Sequence, residues 1–463
     1  MLFHLNAYYN RLTGKYTNYS NCPKIGYVGC RTVLVQLHFF PSRSALTFFP
    51  ARLLLPASKS RPRFESTLTI FFLFLALWSR DALAAGASDE IVLGMCTALT
   101  GSAQNLGKDM QRGVLAGLDR ANRIGGVNGR KLRLISLDDG YEPTRTAPNI
   151  RQLIEKDNVL AIIGNVGSPT AIVAVPLITE AKTLLFAPFS GSPILRNDPP
   201  DRYVINFRAG AEEETSAMLD ALIDIADLKP EEIAFFTQRD AYGDVGFSRG
   251  MTTLQRHGLR DPRSVLHVSY ERNTLAVEGA VAALLMAENP PRAVVMLGAY
   301  APCAKFIRLC RHSDLCPLFL NVSFVGGKSF VDALGKTDAH IVVTQVVPSP
   351  TDDSIPLVRE YEADLKVFDS SVSAGFGDLE GYIAARILML ALEKIQGAPT
   401  REAIVDALEG LGQFDIGLGE TLDLSRTEHQ ASHRVWPTLL KGGQFVPFQW
   451  SQITALLKGD ASP

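Results

Sequence analysis

The chain has 463 residues, 46% of them hydrophobic and 20% charged, with a formal net charge of −2. This is the composition of a folded protein and excludes wholesale disorder; the length calls for two domains plus a removable leader. Residues 1–64 hold nine Lys or Arg and no Asp or Glu, whereas residues 85–463 hold 36 basic and 46 acidic side chains, near −10, a sign that repels phosphates and excludes nucleic acid as a partner.

In chain order, the first feature is the apolar run LTIFFLFLALW at residues 68–78, with basic residues before it and Ala82-Leu83-Ala84 after it. It is short for a bilayer span and about right for the core of a signal peptide. Residues 61–85 are therefore read as a signal peptide cleaved near Ala84, with an uncleaved anchor helix as the other reading. Residues 1–60 match neither a signal nor a domain and read as a non-native leader or a misassigned start. The expected location of the rest is the periplasm, with no membrane insertion after cleavage. No lipobox cysteine follows the apolar run.

From residue 91 the pattern alternates between short apolar strands and amphipathic helices. Strands are expected at 91–95, 131–137, 159–163, 184–187 and 203–207, with helices at 108–124, around Ile150 to Ile154, and at 170–181. After Gly210 the pattern restarts: helices at 212–227, 243–257, 277–288 and 301–311 alternate with strands at 233–236, 265–268, 293–297 and 318–321. This is βαβ grammar, which implies two doubly wound, mostly parallel lobes. From Ile341 onward one more strand, a helix at 381–394 and a β-like ending at 435–440 and 444–448 must be shared between the lobes. The expected division is 88–208 plus 348–428 for lobe 1, and 209–347 plus 429–463 for lobe 2.

In open α/β sheets ligands sit beyond the carboxyl ends of the strands, so the loops after strands are the first candidates. Two of them, Gly164-Asn165-Val166-Gly167-Ser168-Pro169 and Pro188-Phe189-Ser190-Gly191-Ser192-Pro193, end in Ser-Pro at a helix start. Serine followed by proline is a favoured helix opening and needs no ligand to explain it. Two such glycine-containing loops at neighbouring strand ends also present N–H groups and hydroxyls as a receptor for a carboxylate. On the second lobe the loops carry Asp240, Tyr242, Tyr300 and Ser323, with the two tyrosines placed as a lid.

These residues, in this order, resemble the branched-chain amino-acid binding proteins of ABC transporters, the type I periplasmic binding proteins. The resemblance runs through ALTGSAQNLGKDMQRGVLAGLDRANRIGGVNGRKLRLISLDDGYEP, IIGNVGSPTA, LLFAPFSGSPILR, DAYGDVG, GYIAARILMLALE and HQASHRVWPTLLKGGQFVP. It implies a Venus-flytrap fold with three crossing segments, a solute clamped between the lobes, and delivery to a permease with its ATPase subunits, with no cofactor, no metal and no catalysis. It further implies that Ser168 holds a ligand carboxylate with Phe189 and the Ser190, Gly191, Ser192 loop, that Tyr242 and Tyr300 touch the ligand from lobe 2, and that Phe376 falls near an aromatic of the side-chain pocket.

Two departures follow. Relatives that bind α-amino acids place an acidic residue after the strand equivalent to 318–321, where it pairs with the ligand ammonium; here the aligned residue is Ser323, or Val322 or Phe324 at one residue's slip. Either Asp240, Asp244, Asp378 or Glu380 substitutes, or the solute lacks an ammonium, which broadens the expected ligand to small carboxylates and amides, aromatic acids included. Cysteines found in several relatives are replaced here by Gly140 and Gly167. Of the remaining Cys96, Cys303, Cys310 and Cys316, Cys96 reads as a buried thiol and Cys310 with Cys316 as the preferred disulfide; the last three with His312 could also be a metal site.

An enzyme is not indicated: H-E-x-x-H, G-x-S-x-G and a dinucleotide G-x-G-x-x-G are absent, and Gly326-Gly327-Lys328-Ser329 lacks the earlier glycine of a phosphate loop, position 322 being Val. The rival to transport is a ligand sensor of the same fold that signals to a receptor or regulator.

Overall fold

A computed structural model describes residues 90–337 and 340–458. The expected signal peptide and leader lie outside the described residues, and no described helix is long and apolar enough to cross a membrane.

Five strands form the first sheet: β1 (Glu90–Thr97), β2 (Lys131–Asp138), β3 (Ala161–Ile163), β4 (Leu184–Phe186) and β5 (Val204–Ile205). They are parallel, in the order β2-β1-β3-β4-β5. β3 and β4 read AII and LLF with every residue buried, the signature of parallel strands covered by helices on both faces. Helices α1 (Gln104–Arg123), α2 (Pro143–Arg151) and α3 (Ser168–Glu180) provide the crossovers.

The second lobe starts with α4 (Ala211–Asp220) and continues through β6 (Ile233–Arg239), α5 (Ala241–Arg256), β7 (His267–Glu271), α6 (Glu278–Leu285), β8 (Ala293–Leu297), α7 (Tyr300–His312), β9 (Leu318–Asn321), α8 (Lys328–Leu334) and β10 (Ile341–Gln345). The chain then forms α9 (Pro356–Phe368), α10 (Phe376–Glu393), α11 (Arg401–Glu409), the hairpin β11 (Gly412–Phe414) and β12 (Leu422–Leu424), and returns as β13 (Trp436–Lys441), β14 (Gln444–Pro447) and α12 (Ile453–Lys458). The second sheet has the order β14-β13-β10-β9-β8-β6-β7, in which only β13 runs against the other strands, pairing antiparallel with both β10 and β14. Its central strands AVVML and IVVTQ are wholly buried.

The elements after Ile341 are richer than the sequence reading. Helix α10 begins five residues before the expected 381, and α9, α11 and the β11–β12 hairpin were not anticipated. A signal for α11 exists: the Thr400 hydroxyl caps it by accepting the Ala403 N–H at 3.1 Å, and Ile404, Val405 and Leu408 form its buried stripe.

Three segments cross between the sheets, at 206–210, 346–355 and 425–435. The first and third are zipped together: the Asn206 N–H donates to His429 O at 2.7 Å, Ala431 N–H to Asn206 O at 3.0 Å, and Ser432 N–H to Phe207 O at 2.8 Å. Each sheet has a switch point, between β1 and β3 and between β6 and β8, where chain order reverses and the loops beyond the strand ends diverge to leave a crevice.

The expected disulfide is absent: Cys96, Cys303, Cys310 and Cys316 are all free thiols. Cys303 and Cys310 lie inside the core packing of α7, whereas Cys316 is exposed past the helix end, where the Arg311 guanidinium lies 2.5 Å from its sulfur. The metal reading fails on the same placement, since Cys303 and Cys310 are buried in the core while Cys316 is exposed, and among the described residues these side chains do not converge with His312 on one point.

Candidate functional site

The loop after β3 reaches α3 through Gly167, whose backbone has φ +87 and whose missing Cβ would collide with the ring of Tyr141, so only glycine fits. Gly167 N–H donates to Phe189 O at 3.1 Å and Phe189 N–H to Asn165 O at 2.7 Å, which fastens the loops after β3 and β4 to each other. Ser168 is therefore held, buried, as the first residue of α3, with Pro169 behind it and the positive end of a 13-residue helix at its back. In the second loop the Ser190 hydroxyl accepts the Ser192 N–H at 3.3 Å, and the Arg196 guanidinium holds the carbonyls of Ser190 and Ser192, each at 3.2 Å. Gly191 lies against Ala211, whose N–H it receives at 2.9 Å. This loop is thus tied to the crossing segment as well as facing the cleft.

From the second lobe, Asp240 caps α5 by accepting the N–H groups of Tyr242 at 2.9 Å and Gly243 at 3.3 Å. That fixes Tyr242, only 5% exposed, with its ring 4.8 Å from that of Phe324. Phe324 projects from the turn after β9 and also meets Tyr141 at 6.1 Å and Phe189 at 6.3 Å, so four aromatic rings from both lobes converge on one point. Phe189, Tyr242 and the Ser323 turn are brought together here, and Ser168 adjoins them through Gly167 and Tyr141. Tyr300 and Phe376 lie outside this cluster of four rings. The Tyr300 hydroxyl accepts Asn105 Nδ2 at 3.3 Å across the cleft, and Phe376 packs edge-on against Phe445 at 5.8 Å.

The charged centre of this region is Arg208, the largest fully buried side chain, at 2% exposure. Its guanidinium lies over the Phe189 ring at 4.8 Å, donates to Glu214 at 3.3 Å and to the Ser323 hydroxyl, and reaches Glu380 at 3.4 Å. Glu214 in turn accepts the Ser323 N–H at 2.8 Å, the Ser323 hydroxyl at 2.9 Å and the Thr344 hydroxyl at 2.6 Å. Burial pushes the Glu380 carboxyl up to about 7, with Arg208 pulling it down and Glu214 adding to the rise. Of the four carboxylates expected to replace an acid at 323, three are spent or misplaced: Asp240 on its cap, Asp378 in an ion pair with Arg112 at 2.6 Å, and Asp244 on the exposed side of α5. Glu380 alone stands at the centre.

Sequence reasoning missed Arg208, Glu214 and Tyr141, and named Phe324 only as a one-residue slip of Ser323. A signal for Arg208 was present in a basic residue three positions after the buried Val204–Ile205 strand, in an otherwise buried segment, because an arginine there needs partners.

Several buried polar atoms here have no hydrogen-bond partner among the described residues: the Tyr242 hydroxyl, the Arg208 Nε, the Asn321 side-chain amide and the Gln345 Nε2. Asn321 and Gln345 end β9 and β10, so these groups gather where the second sheet meets the cleft. Native interiors seldom leave such groups unsatisfied, and clusters of them mark functional sites. The lobes also touch directly. Arg272 donates to Tyr141 O at 2.6 Å and to Glu142 at 2.8 Å, Asn273 donates to Glu142, and Gln238 Nε2 donates to the Tyr141 hydroxyl at 3.1 Å.

Two doubly wound lobes joined by three crossing segments, with loops of both lobes meeting at the facing strand ends, define a two-lobed solute-binding protein. The chain belongs to the periplasmic binding protein family, whose pattern matches residues 90–444. It is similar to the crystal structure of a possible leucine/isoleucine/valine-binding protein from Rhodopirellula baltica SH 1, with 46% identity, coverage of 80% of this chain and 99% of that one, and a TM-score of 0.76. The Leu/Ile/Val-binding protein BraC3 of Rhizobium johnstonii is 23% identical over 359 residues, 76% of this chain and 92% of that protein. An amino acid binding protein of Pseudomonas aeruginosa is 24% identical over 250 residues, which span 54% of this chain and 64% of that protein.

Proposed function

We propose that this protein is the exported solute-binding component of an ABC importer, which captures a branched-chain amino acid or a related small carboxylate or amide in its interlobe cleft without chemistry on it and hands it to a permease with its ATPase subunits. The observation that carries this reading is the gathering of unpartnered buried polar groups and four aromatic rings between the two lobes. Ser168 and the N–H groups opening α3 are suited to the carboxylate end of such a ligand, and the aromatic rings to its apolar end. Closure over the ligand then shifts a two-state equilibrium that the permease reads.

A thermal-shift screen against amino acids, their keto-acid analogues, amides and aromatic carboxylates tests the reading. A ligand at a hundredfold excess over its Kd adds about 2.7 kcal/mol to the folded state, enough for a clear shift. One or more of these compounds is expected to stabilise the protein, and Ser168→Ala is expected to weaken that ligand at least fivefold while leaving the unliganded melt unchanged. A screen with no stabilising compound rejects the reading.

A further inference from the structure

The candidate ligand loop at Ser190–Ser192 hangs on one side chain. Arg196 donates to the carbonyls of Ser190 and Ser192, each at 3.2 Å, and to that of Arg208 at 2.8 Å, which leaves its Nε for Gln430 Oε1 at 2.6 Å. A guanidinium has no acceptor, so this contact fixes which end of the Gln430 amide carries the oxygen. The amide nitrogen then spends its two hydrogens on Glu213 Oε2 at 2.9 Å and Ser432 O at 3.1 Å. His433 Nδ1 lies 2.8 Å from that nitrogen and 2.7 Å from Glu213 Oε1. With both amide hydrogens spent, the imidazole must bring the proton itself, and Nδ1–H donates to Glu213.

A hydrogen-bonded chain, His433 to Glu213 to Gln430 to Arg196, thus starts in solvent and ends at the loop that faces the cleft. The His433 side chain is 58% exposed, whereas Gln430 is buried. Its members belong to parts that must reorient when the lobes move. Arg196 follows β4 in the first lobe, Gln430 and His433 lie in the crossing segment 425–435, and Glu213 sits in the first turn of α4, where the second lobe starts. Glu213 also accepts the Gly210 N–H at 2.5 Å, at the end of the crossing segment 206–210. Two further carboxylates face His433: Glu428 of its own segment, 3.6 Å from Nε2, and Glu420 from the β11–β12 turn, while the neighbouring Arg434 turns to the Trp436 ring at 4.8 Å. The hydrogen bond to Glu213 raises His433 above its ordinary 6.5, against its partial burial, and Glu428 adds to the rise. Burial pushes the Glu213 carboxyl up, but the hydrogen bonds from His433, Gly210 and Gln430 outweigh it and hold the group below its ordinary range.

On the reading of this cleft as the ligand site, we infer that His433 is a positioning residue for the ligand: its charged form holds the Ser190–Ser192 loop in the ligand-receiving arrangement through Glu213, Gln430 and Arg196. A neutral imidazole keeps an N–H for Glu213 but loses the charge that fixes the carboxylate, and hydrogen bonds in a chain polarise one another, so weakening one end weakens the hold on the loop. Because the folded-state value is raised, the charged form is complete below pH 6.5 and is lost as pH climbs through that raised value. Ligand affinity therefore falls on the alkaline side.

Isothermal titration of the full chain, of His433→Gln and of His433→Lys tests this, with L-leucine, L-phenylalanine and 4-methyl-2-oxopentanoate as probes at about pH 6 and about pH 9. Glu380, pushed up to about 7 by burial, titrates in the same range, and the comparison of wild type with variant at one pH cancels it together with any titration of the probe. His433→Gln keeps an N–H donor and has no charge to lose, so the affinity of the wild type relative to it is expected to fall by about threefold or more from the lower pH to the higher. His433→Lys stays charged at both, so its affinity relative to the wild type is expected to rise by the same factor. A ratio to His433→Gln that moves by less than this, or in the opposite sense, in a variant with a cooperative melt overturns the inference and leaves the ligand site intact. If His433→Gln does not fold, the ratio to His433→Lys decides in the same way. Binding of none of the three probes by the wild type rejects the underlying reading of the cleft, a result distinct from the others.

Discussion

At the scale of single residues, the site is governed by what burial does to charge. Arg208 is in contact with two carboxylates and a serine hydroxyl inside the protein. Removing one partner from a buried ionic group strands the others, so Arg208→Met should lower unfolding free energy by about 3–5 kcal/mol in urea titrations. Glu380 gives a pH signature. Its carboxyl is pushed up to about 7, above its ordinary 4.5, so its protonated form stabilises the fold fully below pH 4.5 and that contribution is lost as pH rises through 7. Glu380→Gln has no proton to lose. Its stability relative to the wild type should therefore improve by about 2 kcal/mol between pH 5 and pH 8, measured by urea unfolding at each pH. Glu380 was one of four carboxylates the sequence offered, but its buried neighbours were barely legible there. Arg208 and Glu214 stand in a segment, NFRAGAEEE, that looks like an ordinary strand end and helix start, and nothing in its spacing says that Ser323, more than a hundred positions later, completes it.

At the scale of elements, the packing of α1 on α10 decides how the first lobe holds together. Gly113 lets α1 come so close that a Cβ there would collide with Asp378 O, and Gly381 does the same against Met110 O. Ala at Gly113 must push the helices apart, so Gly113→Ala is expected to cost about 1–3 kcal/mol in thermal or urea unfolding. Gly279, in α6, has nothing within 4 Å of where a Cβ would be. There the higher helix propensity of alanine acts alone, and Gly279→Ala should stabilise by about 0.5–1 kcal/mol. Period and turn residues make both helices readable in sequence. They do not separate these two glycines, because the difference is the distance to a neighbour.

At the scale of the whole molecule, function depends on how the lobes meet. Arg272 on lobe 2 bonds Tyr141 O and Glu142 on lobe 1, a contact that exists only when the lobes are together. It stabilises the closed arrangement selectively, whereas Ser168 belongs to lobe 1 in any arrangement. Arg272→Ala is expected to weaken ligand affinity three- to tenfold, mainly through faster release, and to raise the radius of gyration of the liganded protein in small-angle scattering. An unchanged affinity and radius would mean that this contact plays no part in closure.

Consecutive residues alone specify the alternation of strands and helices, the parallel character of both sheets and the loops at which a ligand can sit. Those properties are local: burial on both faces of AVVML or AII, and a serine followed by proline at a helix start, are written in consecutive residues. Which loop residues converge was decided by the tertiary structure alone. Tyr141, Phe189, Tyr242 and Phe324 come from four separate segments, Tyr242 from the first turn of α5, while Tyr300, equally plausible in sequence, meets Asn105 across the lobes. The balance of buried charge was likewise invisible, because it depends on which carboxylates find donors once the chain has folded: Asp240 found a helix end, Asp378 found Arg112, and Glu380 found only a share of Arg208.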